Sequence, residues 1–348
     1  MADTEWGKRD ARGEWQPAEL PKPSPIFRTP WKPKDILKYL FAAEGFLWPV
    51  NLLYALLAVI SWLWFTPSLA RTAYFQIGWI AEIYARNAVL LILIAGGLHL
   101  RLYITRAQGT KFKFSTKWLA MHDKKFLFSN QTYDNIFWNL VSGVTIWTGY
   151  EAVTLWAYAH HLIPYVSWRA HPVYCVLLMI AVIFLRHFHF YWVHRLIHFK
   201  ALYKISHYVH HKNVNIGPWS GLSMHPIEHL LYFSGVLFHW IIPSHPIHAI
   251  FHLMHAGLSP ALGHSGYDKL VTKEEHGLKA DTYFHYLHHR FFTVNFGTEV
   301  VPFDKWFGSF HDGSPEAQAA MMAKRSKARK NKPQGTSEPA ETPSGTGT

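Results

Sequence analysis

Charge is scarce in this 348-residue chain. Asp, Glu, Lys and Arg together make up 16% of it, against about 25% in an ordinary soluble domain. Cysteine is nearly absent: Cys175 is the one thiol, which excludes an intrachain disulfide and suits a reducing compartment. Residues 1–35 are polar and Pro-rich and lack the apolar run of a signal peptide. No G-x-G-x-x-G follows a strand pattern, so no nicotinamide or flavin fold is visible. No H-E-x-x-H run is present either, which argues against a zincin-type hydrolase.

What the chain has instead is aromatic residues and histidine. Aromatics reach 16%, with 16 Trp, and hydrophobic residues 49%. Charge depletion with aromatic excess points to a membrane protein carrying interfacial Trp and Tyr. A mean hydropathy of only -0.02 shows that the apolar runs share the chain with a large polar part. The net charge of +12 sits in loops and tails, which favours lipid headgroups and topology setting over nucleic acid.

Four runs are long enough to cross a bilayer: near 43–65, bent at Pro49, and near 78–104, 135–158 and 173–193. A fifth apolar region, 227–258, is broken by P-S-H-P at 243–246 and reads as two short helices in a re-entrant hairpin. Basic residues precede the first run (Lys22, Arg28, Lys32, Lys34, Lys38) and follow the second (Arg106, Lys111, Lys113, Lys117, Lys124, Lys125), while only Arg71 lies between them. Both ends of this first pair therefore face the cytosol, and the segment starting at His194 returns to that side. The expected architecture is an all-α integral membrane protein with about four transmembrane helices, the re-entrant hairpin and a cytosolic helical cap. Four parts follow: a mostly irregular leader (1–35), a first transmembrane hairpin with its basic loop (36–130), a catalytic domain (131–312) and a basic tail (313–348), disordered past a short surface helix.

The chain holds 25 histidines. H-R-L-I-H places His194 and His198 on one helical face. H-Y-V-H-H groups His207, His210 and His211, and H-Y-L-H-H groups His285, His288 and His289. One such pair is a weak signal. Eight imidazoles brought together are different: charged they repel, and neutral they need a partner for every ring nitrogen. A metal resolves both problems. Eight ligands exceed what one zinc takes and suit two metals; imidazole serves iron, zinc and copper alike.

The order H-x-x-x-H, H-x-x-H-H, H-x-x-H-H behind several apolar runs resembles the fatty acid hydroxylase and sterol desaturase superfamily. F-Y-W-V-H-R-L-I-H (190–198), S-M-H-P-I-E-H (223–229), G-H-S-G-Y-D (263–268) and N-F-G-T-E-V-V-P-F-D-K-W-F-G-S-F (295–310) are similar to further elements of it, over roughly 175–312. One departure is visible: R-H-F-H (186–189) stands where many relatives carry an acid. The resemblance implies a cytosol-facing centre of two iron ions, O2 as co-substrate and hydroxylation or desaturation of a lipid: a sterol, a fatty acyl chain or an aminolipid. It implies iron ligation by the eight histidines above and by His264. His225 and His229 are candidates for a metal or for its surroundings, as is Glu228, either bonding a ligand ring or solvated at a helix start. The chain lacks the His-Pro-Gly-Gly heme element of fused relatives, so a separate cytochrome, ferredoxin or reductase is implied.

The remaining histidines read as structural. His245, His248, His252 and His255 form a stripe that either lines a substrate pocket or pairs with protein groups. His187 and His189 pack, and His160, His161 and His171 lie on the outer side. Glu82 and Arg86, four apart, either snorkel or pair with each other. Two readings without oxygen chemistry compete. A metal transporter would place its ligands inside the spans, and a membrane metallohydrolase would need fewer ligands and a placed base.

Overall fold

The computed structural model describes residues 5–42, 45–273, 276–280 and 282–330. Helix dominates. In chain order the elements are β1 (Gly7–Arg9) and β2 (Trp15–Pro17), α1 (Pro33–Phe41), α2 (Val50–Trp64), α3 (Ile77–Ile104), α4 (131–159), α5 (Pro172–Ile197), α6 (200–211), α7 (Pro226–Phe233), α8 (Pro246–Gly263), β3 (Lys269–Lys273), β4 (His276–Lys279), α9 (Tyr283–Phe291) and α10 (Pro315–Lys330). The two strand pairs are short antiparallel hairpins, so the protein is mostly helical rather than wholly so.

Helix α8 is the centre. Pro246 opens it, where a missing N–H costs nothing. The His245 ring caps it by accepting from Ile247 N, and the His248 ring answers by accepting from His245 N. Nearly every α8 residue is buried, packed by α2, α4, α5 and the 218–222 turn. That turn comes so close that a Cβ on Gly221 would stand 2.4 Å from Pro260 O. The apolar region 227–258 does break at P-S-H-P into two helical arms. Its second arm is a core helix, shielded by protein.

Two described helices, α3 and α5, are long and apolar enough to cross a bilayer, and only 28% of each apolar window is buried. That is two against the four expected. α2 has 15 residues, about 22 Å of helix against a core of about 30 Å, because Pro49 ends its reach on one side. α4 is long enough, but it buries Gln131, Asp134, Asn135, Asn139 and Glu151, which dilutes its apolar character. Exposed Leu53, Leu56 and Leu63 on α2, Leu93 and Leu100 on α3 and Val176 and Leu177 on α5 form an apolar exterior suited to lipid.

Glu82 and Arg86 do not pair with each other. Glu82 meets Arg71 at 2.7 Å in the exposed loop. Arg86 Nη2 donates to both Glu151 oxygens, at 2.5 and 2.6 Å, and so ties α3 to α4 inside the protein. Asn87 and Thr66 accept from the same guanidinium. Sequence spacing could not show Glu151, which lies 65 positions away.

The leader is mostly turns and irregular chain, but it is fastened to the rest of the protein. β1 and β2 form a hairpin that buries Trp15, Arg9 donates to the Thr110 and Lys113 carbonyls, and Ser24 is fastened to the 299–300 backbone. The basic helix of the tail is present as α10, while the stretch expected to be disordered, 331–348, lies outside the described residues.

Removing one partner of a buried ion pair strands the other charge. Glu151→Ala is therefore expected to cost about 3–5 kcal/mol, and Arg71→Ala, in the exposed pair, less than about 1 kcal/mol. Unfolding in mixed micelles measures both. Equal effects would contradict the assignment of Arg86–Glu151 as the interhelical tie.

Candidate metal centre

Helices α5, α6 and α9 and the end of α8 converge beyond one end of α5. His194 lies in the last turn of α5 and His198 caps it. His207 closes a π-helical turn, Tyr203–His207, before Tyr208–His211 resumes α-helix; such turns often mark functional sites. Thr282 caps α9 by accepting from His285 N. His264 ends α8, its backbone N–H bonded to Pro260 O.

Nine histidines assemble into two groups. His194, His198, His207, His211 and His288 form one; His210, His264, His285 and His289 form the other. Within each group the candidate ligand nitrogens lie within 4.8 Å of one another. Helical geometry explains the division. Residues four apart share a direction, so His207 and His211 serve the first group, and His285 and His289 the second. The residue beside each pair's end turns about 100° away: His210 goes to the second group and His288 to the first. Each H-x-x-H-H motif thus reaches both groups from one helical face.

Hydrogen bonds on the far side of the rings fix what they present inward. His194 Nδ1 donates to Phe296 O at 2.6 Å, His288 Nδ1 to Val294 O at 2.6 Å and His207 Nδ1 to Glu228 Oε1 at 2.7 Å. In the second group His264 Nδ1 donates to Pro260 O at 3.1 Å. A neutral ring that donates from Nδ1 carries a lone pair on Nε2. Yet His194 Nε2 stands 3.1 Å from His207 Nε2. His264 Nε2 likewise stands 3.0 and 3.1 Å from the Nε2 atoms of His285 and His289. The His194 and His207 acceptors, facing one another this closely, call for a cation between them, and metal-binding histidines are characteristically oriented by such far-side bonds. The donor set is nitrogen throughout and fits a metal such as iron, zinc or copper.

The closing segment supplies two of those carbonyls. The Asp304 carboxylate accepts from Phe296 N, Gly297 N and Ser309 Oγ. Asn295 Nδ2 donates to Phe284 O and His311 O. The loop is held so that the Val294 and Phe296 carbonyls meet His288 and His194. Sequence reasoning named this motif but not these residues' task; the Asn and Asp within it were the available signal.

A cavity of about 510 Å³ reaches both groups, touching His194, His207, His210, His264 and His285. Its other walls include Phe46, Val50, Tyr54, Phe190, Val193, Ile197 and Met224. The leader covers it with residues 19–25 and Arg28, a role the sequence did not suggest.

Residues 178–309 match the fatty acid hydroxylase family model. Over that stretch the chain is similar to the fatty acid hydroxylase and sterol desaturase superfamily. A delta(7)-sterol 5(6)-desaturase of Gibberella zeae is 30% identical over 131 residues, 36% of this chain and 39% of that protein. A delta(7)-sterol-C5(6)-desaturase of Nicotiana tabacum is 27% identical over 160 residues, covering 45% and 56%. A Dictyostelium discoideum protein, provisionally named a methylsterol monooxygenase, is 29% identical over 129 residues, covering 35% and 46%. The chain thus spans about two fifths to just over half of these relatives. No solved structure matches it.

Other histidines have structural partners. His225 caps α7 by accepting from Ile227 N and lies outside both groups. His229 spends both ring nitrogens, on Ser142 Oγ at 2.9 Å and Leu222 O at 3.1 Å. Glu228 is buried and bonds His207 directly, so it is not a solvated acid. His248 bonds Cys175 O, His252 meets His239, and His255 meets Asn51 while also lining the cavity. His187 meets Thr298 and His189 meets Ser234. His160 bonds Ala73 O, away from both groups.

Burial, reinforced by neighbouring rings, holds His207, His210, His211, His264, His285, His288 and His289 well below the ordinary histidine value. An unfolded chain takes up protons first as pH falls, so these rings give full stability above about pH 6.5 and lose it below. The metal-free protein should lose stability from pH 6.5 to 5 at a rate approaching about 1.4 kcal/mol per pH unit for each ring. Denaturation midpoints across that range measure it; a flat profile would contradict the burial of neutral imidazoles.

Proposed function

We propose that this chain is a membrane-embedded oxidoreductase that hydroxylates or desaturates a lipid with O2, at a centre of two iron ions held by the two histidine groups. The observation that carries the reading is the pair of nitrogen-only groups, the candidate ligand atoms of each within 4.8 Å of one another, opening on one largely apolar cavity. The relatives' names, sterol desaturases and a methylsterol monooxygenase, support a lipid substrate; a sterol, a fatty acyl chain and an aminolipid are the classes weighed.

Two iron ions would supply oxidation of an unactivated C–H bond by O2, which no side chain can perform. His194, His198, His207, His211 and His288 would hold one ion, and His210, His264, His285 and His289 the other. Glu228, by accepting from His207 Nδ1, keeps that ring's lone pair on Nε2 and raises its basicity. The Val294, Phe296 and Pro260 carbonyls do the same for His288, His194 and His264. Phe190, Val193, Ile197 and Met224 give the substrate an apolar bed, and the leader shields it from water. Electrons come from a separate cytochrome, ferredoxin or reductase. The protein crosses the membrane more than once, with the histidine groups at the cytosolic face. The exposed apolar helices and the placement of the groups at the end of α5, not midway along a span, support that topology over a transport path.

Purified protein is expected to carry about two iron atoms per chain. His288→Ala and His289→Ala, though adjacent, should each lose chiefly one atom, from different groups, and both should abolish product formation. Elemental analysis with lipid mass spectrometry of cells with and without the protein reads both results: product differs by one oxygen gained or two hydrogens lost. A maximum of one metal per chain, or full activity in His288→Ala, would overturn the reading.

A further inference from the structure

Among the cavity's walls is a cation that the lipid-oxidation reading leaves unused. Arg186 lies on α5, within a helix apolar enough to cross the membrane, and lines the cavity. It is eight residues, about two turns or 12 Å of helix, before His194. Among the described residues its guanidinium makes one side-chain hydrogen bond, from Nη2 to Tyr232 Oη at 2.9 Å. Tyr232 is fixed for this, because its own hydroxyl donates to Ala256 O at 2.8 Å and so turns a lone pair to Arg186. The Phe190 ring lies 5.7 Å from the guanidinium carbon. Arg186 Nε is buried without a partner. No carboxylate among the described residues pairs with it.

An arginine in a membrane helix faces a cavity or a partner, and its counter-charge is part of its function. Arg86, on α3, obeys this rule with Glu151 inside the protein. Arg186 has the positioning without the counter-charge. Its fork matches an oxyanion bidentately and is poorly matched to an alkyl surface. The cavity's walls include polar Asn51, Tyr54, His187 and His255 as well as apolar Val193 and Ile197. The Phe190 ring stands between the guanidinium and the His194 ring, 5.7 Å from the one and 4.9 Å from the other.

We infer that Arg186 anchors an anionic oxygen group, a carboxylate or its equivalent, of the lipid that enters the cavity, so that the carbon to be oxidised lies beside the histidine groups, past the Phe190 ring. Tyr232 positions the guanidinium. This assignment rests on the proposed function for its second half only, since binding of the anion needs no turnover. The anion is borne either by an acyl chain or by a ring-system lipid; the chemistry at Arg186 is the same.

The test is calorimetric binding to the metal-loaded protein in neutral detergent, with two matched pairs: palmitate against hexadecanol, and cholesteryl hemisuccinate against cholesterol. In at least one pair the anion should bind about 10- to 100-fold more tightly than its neutral partner, the range expected for hydrogen bonds to a charged group. The preferred pair shows which skeleton carries the anion. Arg186→Gln should abolish the preference while metal content and affinity for the neutral partner stay unchanged. Arg186→Lys should retain part of it, and Tyr232→Phe should reduce it. Equal binding of anion and neutral lipid in both pairs would overturn the assignment, as would a preference that survives Arg186→Gln. Should Arg186→Gln fail to fold, a preference unchanged in Arg186→Lys and Tyr232→Phe would overturn it too. Loss of metal by the histidine variants reads the metal reading separately, so the two can fail independently.

Discussion

The Nδ1–H groups of His194, His288 and His207 each need a fixed acceptor, because only then do their Nε2 lone pairs all point inward. Much of the domain can be understood as the supply of those acceptors. Asp304 and Asn295 hold the 294–297 backbone so that two carbonyls arrive at two rings from one loop. Glu228 reaches His207 from α7, whose first turn is set by Pro226 and the His225 cap. His264 receives its acceptor from its own helix, at Pro260. The histidine cluster is thus assembled by elements separated by up to 102 positions along the chain, and removal of any one acceptor would free a ring to rotate or to change tautomer.

The same constraint explains why the core is built around a buried helix rather than around the two lipid-exposed ones. α8 must deliver His264 to the second group at one end while His255 lines the cavity two turns earlier. Its packing against α2, α4 and α5 fixes that cavity's length. The leader closes the space from the other side, so residues far from the histidine motifs shape what can enter.

The histidines were legible because their signal is local. Spacings of three and four identify helical faces without any knowledge of the fold, and the quoted motifs named all nine that the structure gathers. The division into two groups was not legible, since it depends on the twist between His210 and His211 and between His288 and His289, combined with how three helices meet. Two of the four expected spans do not stand out as long apolar helices, for a related reason. Apolar runs do not show that α4 buries Asn139 and Glu151 against neighbours, nor that Pro49 shortens α2. The leader's polar, Pro-rich composition suggested irregularity; its hairpin is secured by Arg9, Trp15 and Ser24, whose partners lie about 100 to more than 270 residues away.

X-ray absorption at the iron edge of the purified protein tests the central claim most directly. The account requires a first shell of nitrogen and oxygen alone, at about 2.0–2.2 Å, with strong outer-shell scattering from several imidazoles on each iron. Sulfur in the first shell, or an average of fewer than two imidazoles per iron, would contradict a centre held by the two histidine groups.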